Sequence, residues 1–375
     1  MKSALDEVMG SRDVAKCGIS VDGTWQRRGY SSLNGCVSAI SIDTGKILDV
    51  EVMSQYCRIC SKGNKSSDHI CANYKGSAGN MEVVGAYRIF ERSNAKNVQY
   101  SEYYGDGDSK GYDSVKNFYG DNSVMKLECI GHVQKRVGGS LRKLKKKMKG
   151  IGGKGKLTDK LIDKIQNYYG IAVRSNAGNL QNMISGVIAA FYHSVSGKDN
   201  HYHGQCPEGI ESWCRFQSAK AIGKSLKENG TGLPNKIVNL IKPTYLKLCS
   251  TALLHKCLHG KTQNCNESYN NILWNFLPKD TFIGLETFRL GTYLAVILFN
   301  SGHSGLLSVF KNVNFYFHEI LSKEIINFDK ERISSSIRHS LPLTKLARKK
   351  RKADRKTKCT KYEKKEGLTY SYGGF

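Results

Sequence analysis

Residues 98 to 137, VQYSEYYGDGDSKGYDSVKNFYGDNSVMKLECIGHVQKRV, constrain the fold of this chain more than any other stretch. The β-branched and aromatic run at its start predicts a strand that delivers Asp106 to a carboxyl edge. A short helix, a second strand and Cys129-Ile-Gly-His132 at the head of a basic helix follow. Glycines on both sides of Asp106 let an anion or a metal ion approach the backbone closely. Asp108 reads as the N-cap of the helix SKGYDSVKNFYG, which leaves Asp106 as the acid directly at the strand end. The Cys129-x-x-His132 pair adds a soft-ligand spacing beside this hard-ligand acid.

Three strands are predicted ahead of it, within residues 17–56: CGISVDGTW, LNGCVSAISI and KILDVEVMSQ, the last two joined through Asp43-Thr44-Gly45-Lys46. The first is apolar up to Val21 and then presents Asp22 beyond the sheet edge; the alternative is an Asx-turn aspartate. Cys57-x-x-Cys60 and His69-x-Cys71 flank a polar loop with few apolar residues of its own, the pattern of a small tetrahedral zinc site. The competing reading is free thiols with an incidental histidine. Helical spacing of Met81, Val84, Tyr87, Ile89 and Phe90 predicts a crossover helix over 79–93. The order βββαβαβ, with acids after the first and fourth strands, is the pattern of a ribonuclease H-like mixed α/β sheet. There two carboxylates on adjacent central strands hold a pair of hard cations about 4 Å apart, and a third acid is still owed.

Charge identifies the class of partner. Against 32 acidic residues stand 58 Lys and Arg, a net +26, and much of the excess is clustered, so a polyanion is expected and nucleic acid comes first. The N-terminus lacks an apolar signal core, and no run of about 18 apolar residues is evident, so neither secretion nor a membrane partner is supported. Twelve cysteines in a chain of 375 residues fit thiols and metal sites better than a disulfide framework. After His132 the helix carries Lys135, Arg136, Arg142, Lys143, Lys145, Lys146 and Lys147, which suit a phosphate backbone or, more blandly, a solvated face.

Residues 157–257 read as mostly helical, an insertion into the sheet domain. Within it, His203-x-x-Cys206-Pro followed by Trp213 and Cys214 is ambiguous, and packing is the simpler account. The missing acid is expected on a helix after the insertion. Gln263, Glu267, Asn270 and Trp274 share one helical face, so Glu267 would be presented between amides with Trp274 anchoring the end, although a helical glutamate is ordinarily a solvated charge. Cys257 and His259 could complete a second zinc site with Cys129 and His132. Apolar helices over 284–321 close the domain, and the basic run LARKKRKADRKTKCTKYEKK reads as a disordered nuclear-import or DNA-contact tail.

With these residues in hand, the chain resembles the Mutator-like DDE transposases of animal genomes. The resemblance runs from about Ile19 to the C-terminus. It rests on Asp22-Gly-Thr-Trp25, the Cys57/Cys60/His69/Cys71 cluster, Gly76-Ser-Ala-Gly-Asn-Met-Glu82, Gly105-Asp-Gly-Asp-Ser109, Glu128-Cys-Ile-Gly-His-Val-Gln-Lys-Arg136, Ser212-Trp-Cys214 and Thr262-Gln-Asn-Cys-Asn-Glu-Ser268. It implies a triad of Asp22, Asp106 and Glu267 holding two Mg²⁺ or Mn²⁺ ions, with structural Zn²⁺. It also implies cleavage of double-stranded DNA at transposon ends, joining of the freed 3′-OH to target DNA, a nuclear location and a homo-oligomer. The expected organisation is a leader (1–16), a core (17–132) with its zinc loop (57–71), a helical insertion (133–262), helices completing the core (263–325) and a basic tail (326–375). Such transposases usually carry an end-binding region ahead of the first strand, where this chain has only the leader. The alternative is therefore a truncated or domesticated, noncatalytic DNA-binding protein on the same fold; a nuclease that only hydrolyses differs in whether 3′-OH joining occurs.

Overall fold

A computed structural model describes residues 1–10, 14–27, 32–63, 69, 71–105, 110–226 and 232–366, the side chains of 356 and 360–366 excepted. The chain divides into two units, Met1–Val296 and Ile297–Phe375.

The first unit opens with α1 (Lys2–Met9), β1 (Ala15–Trp25), β2 (Asn34–Ser41) and β3 (Ile47–Ser54). The turn α2 (Arg58–Ser61) and the crossover helix α3 (Met81–Ala95) lead to β4 (Val98–Gly105), α4 (Lys110–Val115) and β5 (Met125–Glu128). These make one five-stranded mixed sheet in the order β3-β2-β1-β4-β5. The β1–β2 and β2–β3 pairs are antiparallel, whereas β1–β4 and β4–β5 are parallel. Every residue of β2 is buried, as expected of an interior strand covered on both faces.

The core on this side of the sheet includes Ile19, Val21, Val37, Met53, Met81, Ile89, Phe90 and Tyr100. α3 approaches the sheet so closely that a Cβ on Gly85 would lie 2.5 Å from Val37 Cγ2 and 2.9 Å from Met53 Cε, so only glycine fits. Polar ties add to this contact. Asp49 on β3 accepts from Arg92 Nε at 3.1 Å and Lys96 Nζ at 2.6 Å, and Glu51 pairs with Arg88 at 3.0 Å and Arg92 at 2.6 Å.

A block of helices follows: α5 (Ile130–Lys147), α6 (Asp159–Ser175), α7 (Leu180–Val195), α8 (Arg215–Ala221), α9 (Asn235–Leu246) and α10 (Thr251–His255). It has its own core, in which Ile162, Tyr169, Phe191, Ile241 and Tyr245 are prominent. Two starts are capped as their sequences suggest, with Thr158 Oγ1 accepting from Leu161 N at 3.2 Å and Asn179 Oδ1 from Asn182 N at 2.9 Å. Within the stretch expected to be mostly helical, the run after residue 235 is broken by a 3₁₀ turn at Lys247–Cys249 and by extended Ser250 (φ −62°, ψ 141°). The unit continues through α11 (Asn264–Phe276) and the first part of α12 (Leu285–Asn312).

The second unit comprises the rest of α12, α13 (Glu319–Ser340) and α14 (Pro342–Glu366). The basic tail expected to be disordered is thus helical to Glu366, in keeping with the helix propensity of its Lys, Arg, Ala and Leu residues. By length and composition α12, within the apolar stretch 284–321, alone among the described helices could cross a membrane. It is interrupted, however, at Gly302 (φ 70°, ψ −167°), a conformation open essentially to glycine. Asp329 caps the restart, accepting from His303 N at 3.0 Å, Ser304 N at 2.8 Å and Ser304 Oγ at 2.7 Å. Burial opposes ionisation of Asp329, but these donors prevail and hold its carboxyl well below the usual range.

Candidate active site and metal-ligand clusters

The parallel pairing of β1 with β4 stops at Ser20 and Tyr104, while β1 stays paired with β2 through Trp25. Asp22, opposite Ser38, is therefore not past the end of its strand as the sequence suggested. It sits inside the β1–β2 ladder but beyond the last β4 partner, because β2 follows β1 further than β4 does.

Helix α11 lies along this opening and is fastened to β1 residue by residue. Gln263 Nε2 donates to Val21 O at 3.1 Å and to Tyr104 O at 3.3 Å, bridging the two strands. Asn266, fully buried, donates to Ser20 O at 3.3 Å and accepts from Ser20 Oγ. Asn270 Nδ2 donates to Asp22 Oδ2 at 2.9 Å, and Trp274 Nε1 to Thr24 Oγ1 at 2.8 Å. The expected face of Gln263, Asn270 and Trp274 thus meets the strand that carries Asp22. Glu267 is on the same helix with its side chain 61% exposed, 3.8 Å from Lys135 Nζ.

The half-buried Asp22 carboxyl is pushed up to about 6. Burial is the main cause, Glu82 and Glu267 add to it, and the Asn270 hydrogen bond and His132 oppose it. Several carboxylates therefore share one field, an arrangement that an added cation relieves. Asn270 Oδ1 is buried and has no hydrogen-bond partner among the described residues. Oxygen donors are the ligand type that Mg²⁺ or Mn²⁺ takes, but Asp22, Glu82 and Glu267 do not bring their oxygens within 4.8 Å of one another among the described residues. Asp106 and Asp108 follow Gly105 and lie outside the described residues.

Sequence reasoning passed over Glu82 and Asn266. Glu82 falls in the first turn of α3, where an acid reads as a helix-dipole partner. Asn266 falls between the anticipated face residues, and only the sheet beneath explains its burial. Gly23 makes room for the Trp25 ring: a Cβ there would lie 2.9 Å from Trp25 Cη2.

The basic helix divides by partner. Arg136 pairs with the buried Glu128, Arg142 with Asp163, and Lys145 with Asp159 at 2.9 Å. Lys143, Lys146 and Lys147 make no ion pair among the described residues. A cleft of about 450 Å³ runs along this helix, lined by His132, Lys135, Arg136, Gly139, Ser140 and Lys143, so it adjoins the acidic centre through His132 and Lys135. A cavity of about 560 Å³ in the second unit is lined by apolar side chains such as Leu306, Phe310 and Phe317 together with His303, Glu324 and Glu331.

Cys57, Cys60, His69 and Cys71 bring their ligand atoms within 4.8 Å of one another, a Cys₃His cluster fit for a metal ion. Cys60 Sγ is 3.4 Å from His69 Nε2 and 3.6 Å from Cys71 Sγ. Cys129, His132, Cys257 and His259 form no such cluster among the described residues. His259 engages both ring nitrogens with backbone, Nδ1 accepting from Lys261 N at 2.8 Å and Nε2 meeting Glu128 O at 3.0 Å. Cys129 Sγ accepts from Gln263 N at 3.4 Å, Cys257 is buried in the helical core, and the charge of His132 acts on Asp22. These contacts join the sheet to the helices.

Comparison with known proteins adds one match. The profile of the Mutator-like transposase family covers residues 2–214. It begins ahead of Ile19 and stops short of Glu267, so the resemblance drawn over the last third of the chain rests on its own residues. Neither a curated protein nor a solved structure matches the chain. With its sheet, Asp22, the Cys₃His cluster and the basic helix all inside a match spanning more than half its length, the chain belongs to the Mutator-like transposase family.

Proposed function

We propose that the chain is a DNA transposase that cleaves DNA strands and joins the freed 3′-OH to target DNA, on a ribonuclease H-like core with Asp22, Asp106 and Glu267 as its carboxylate triad. The observation that carries this reading is the fastening of α11 to β1, with Asn270 on Asp22 at 2.9 Å and Glu267 close enough to raise the Asp22 pKa. The strand order with its parallel β1–β4 pair supports the ribonuclease H-like assignment, since Asp106 directly follows β4.

Bound Mg²⁺ or Mn²⁺ would neutralise charge on the phosphate and activate the attacking oxygen. The chain's own contribution is to hold the reacting groups in line. Asn270 fixes the Asp22 carboxylate, the α11 ladder sets the height of Glu267 over the sheet, and the cleft with Lys135 and Lys143 offers cations to the phosphate backbone of double-stranded DNA. In each displacement one P–O bond forms as another breaks, first with water as nucleophile and then with the 3′-OH it freed. In the same reading Zn²⁺ at Cys57, Cys60, His69 and Cys71 pins the loop between β3 and α3, the chain works as a homo-oligomer on transposon ends, and its location is the nucleus. No membrane is involved.

The test is Mg²⁺- or Mn²⁺-dependent nicking and strand transfer on DNA carrying candidate terminal repeats, by the parent chain, Asp106→Asn and Glu267→Gln. Loss of both reactions in both variants, with salt-dependent binding retained, is expected. A parent chain that binds DNA and never cuts it would favour a noncatalytic DNA-binding role.

A further inference from the structure

A second cluster of metal-ligand type lies in the helical block, far along the chain from the acids. His193 lies in the last turn of α7, Cys214 is the N-cap of α8, and His203 and Cys206 stand on the irregular segment between these helices. Their ligand atoms all lie within 4.8 Å of one another. We propose that His193, His203, Cys206 and Cys214 bind a structural zinc ion that fastens the end of α7, the start of α8 and the segment between them.

The edges of the cluster have the right length. A tetrahedral zinc with Zn–S of about 2.3 Å and Zn–N of about 2.0–2.1 Å sets S···N edges of about 3.5 Å. Cys214 Sγ is 3.4 Å from His203 Nδ1, and Cys206 Sγ is 3.7 Å from His193 Nδ1 and 3.8 Å from His203 Nδ1. Orientation is fixed from outside as well. Ser196 Oγ donates to Asn200 O at 3.2 Å, so toward His203 Nε2, also at 3.2 Å, it acts as acceptor. That keeps the proton on Nε2 and leaves Nδ1, the atom facing both sulfurs, as the ligand. Gln217 Nε2 holds the His203 carbonyl at 2.8 Å, and the Phe216 ring stacks on His203 at 4.7 Å. Trp213 packs edge-on against His193 at 5.0 Å.

The four protein ligands complete a tetrahedron and leave no position for water or substrate, so the role is structural. The segment needs such a tie. Between Val195 and Arg215 it holds one isolated bridge, Gly197 to Asn200, and turns, with little regular hydrogen bonding to fix it. His203, Cys206 and Cys214 are each no more than 5% exposed, so three of the four ligands are shielded from solvent and exchange.

The experiment is zinc stoichiometry by mass spectrometry on the full chain, with Co²⁺ substitution as a second readout. The double variant Cys57→Ser/Cys60→Ser removes the other cluster and is expected to retain one zinc per chain. Adding Cys206→Ser/Cys214→Ser should remove that zinc. Loaded with Co²⁺, the first variant should show the visible bands of a tetrahedral site with two thiolates. Should the serine variants not fold, His193→Cys in the otherwise unaltered chain keeps four ligands; it should hold as much metal as the parent, with a stronger sulfur-to-cobalt charge-transfer band. A folded Cys57→Ser/Cys60→Ser chain without zinc, or an unchanged cobalt spectrum in His193→Cys, would overturn the proposal.

Discussion

Replacing Asp22 by Asn should stabilise the metal-free protein at neutral pH. The carboxyl, ordinarily at 3.8, is held at about 6 in the folded chain, chiefly by burial, with Glu82 and Glu267 adding to it. Between these values the folded state binds more protons than the unfolded state, so stability falls as pH rises through the window. The full difference corresponds to about 3 kcal/mol. Asp22 is partly exposed, and screening reduces the expected effect to about 1–2 kcal/mol. Asparagine preserves an oxygen to accept from Asn270 Nδ2, so the ladder to α11 remains. Urea unfolding in EDTA at intervals from pH 3.5 to 7.5 measures the difference between parent and variant. It should be small at the acid end, open between about pH 4 and 6 and then level off with the variant more stable. Millimolar Mg²⁺ should raise the parent and leave the variant unchanged. A gap independent of pH, or a variant less stable at pH 7, would refute the account of the acidic centre.

Gly85→Ala should cost about 1–3 kcal/mol in unfolding free energy, since its Cβ has no room between Val37 and Met53. Asp329→Ala should destabilise the second unit by about 1 kcal/mol at pH 7, read by thermal unfolding. The depressed pKa of Asp329 places that contribution above its ordinary 3.8, so the difference should vanish as pH falls into the acid range. Joint replacement of Lys143, Lys146 and Lys147 by Ala should lower the salt dependence of DNA binding by about 0.9 per lost phosphate contact. Arg142→Ala should change it less, because Asp163 already holds that side chain.

Much of the sheet was legible in the sequence, because alternation, turn residues and a crossover helix are local signals. The Cys₃His cluster was legible for the same reason. Its ligands lie in one short loop. The second cluster is hidden in the sequence because His193 lies in the last turn of a helix whose apolar face dominates its pattern, and only the fold returns it to Cys206. The helical face of Gln263, Asn270 and Trp274 was visible, but not what it would touch. Whether Asp22 sits at a strand end depends on how far β2 follows β1, a property of pairing that the residues around Asp22 do not encode. Arg136 reads like its basic neighbours until Glu128 is found to pair with it.

The ladder between α11 and β1 joins residues 242 to 250 positions apart in sequence. Everything between them, including the whole helical block, must be synthesised before Asn270 can reach Asp22. Closure over so long a separation adds little to the equilibrium cost, because loop entropy grows only logarithmically, but it delays the contact in folding. A nascent sheet with Asp22 already in place therefore lacks its second wall until α11 has emerged from the ribosome. In a protein that cuts DNA, such late assembly would keep incomplete chains inert.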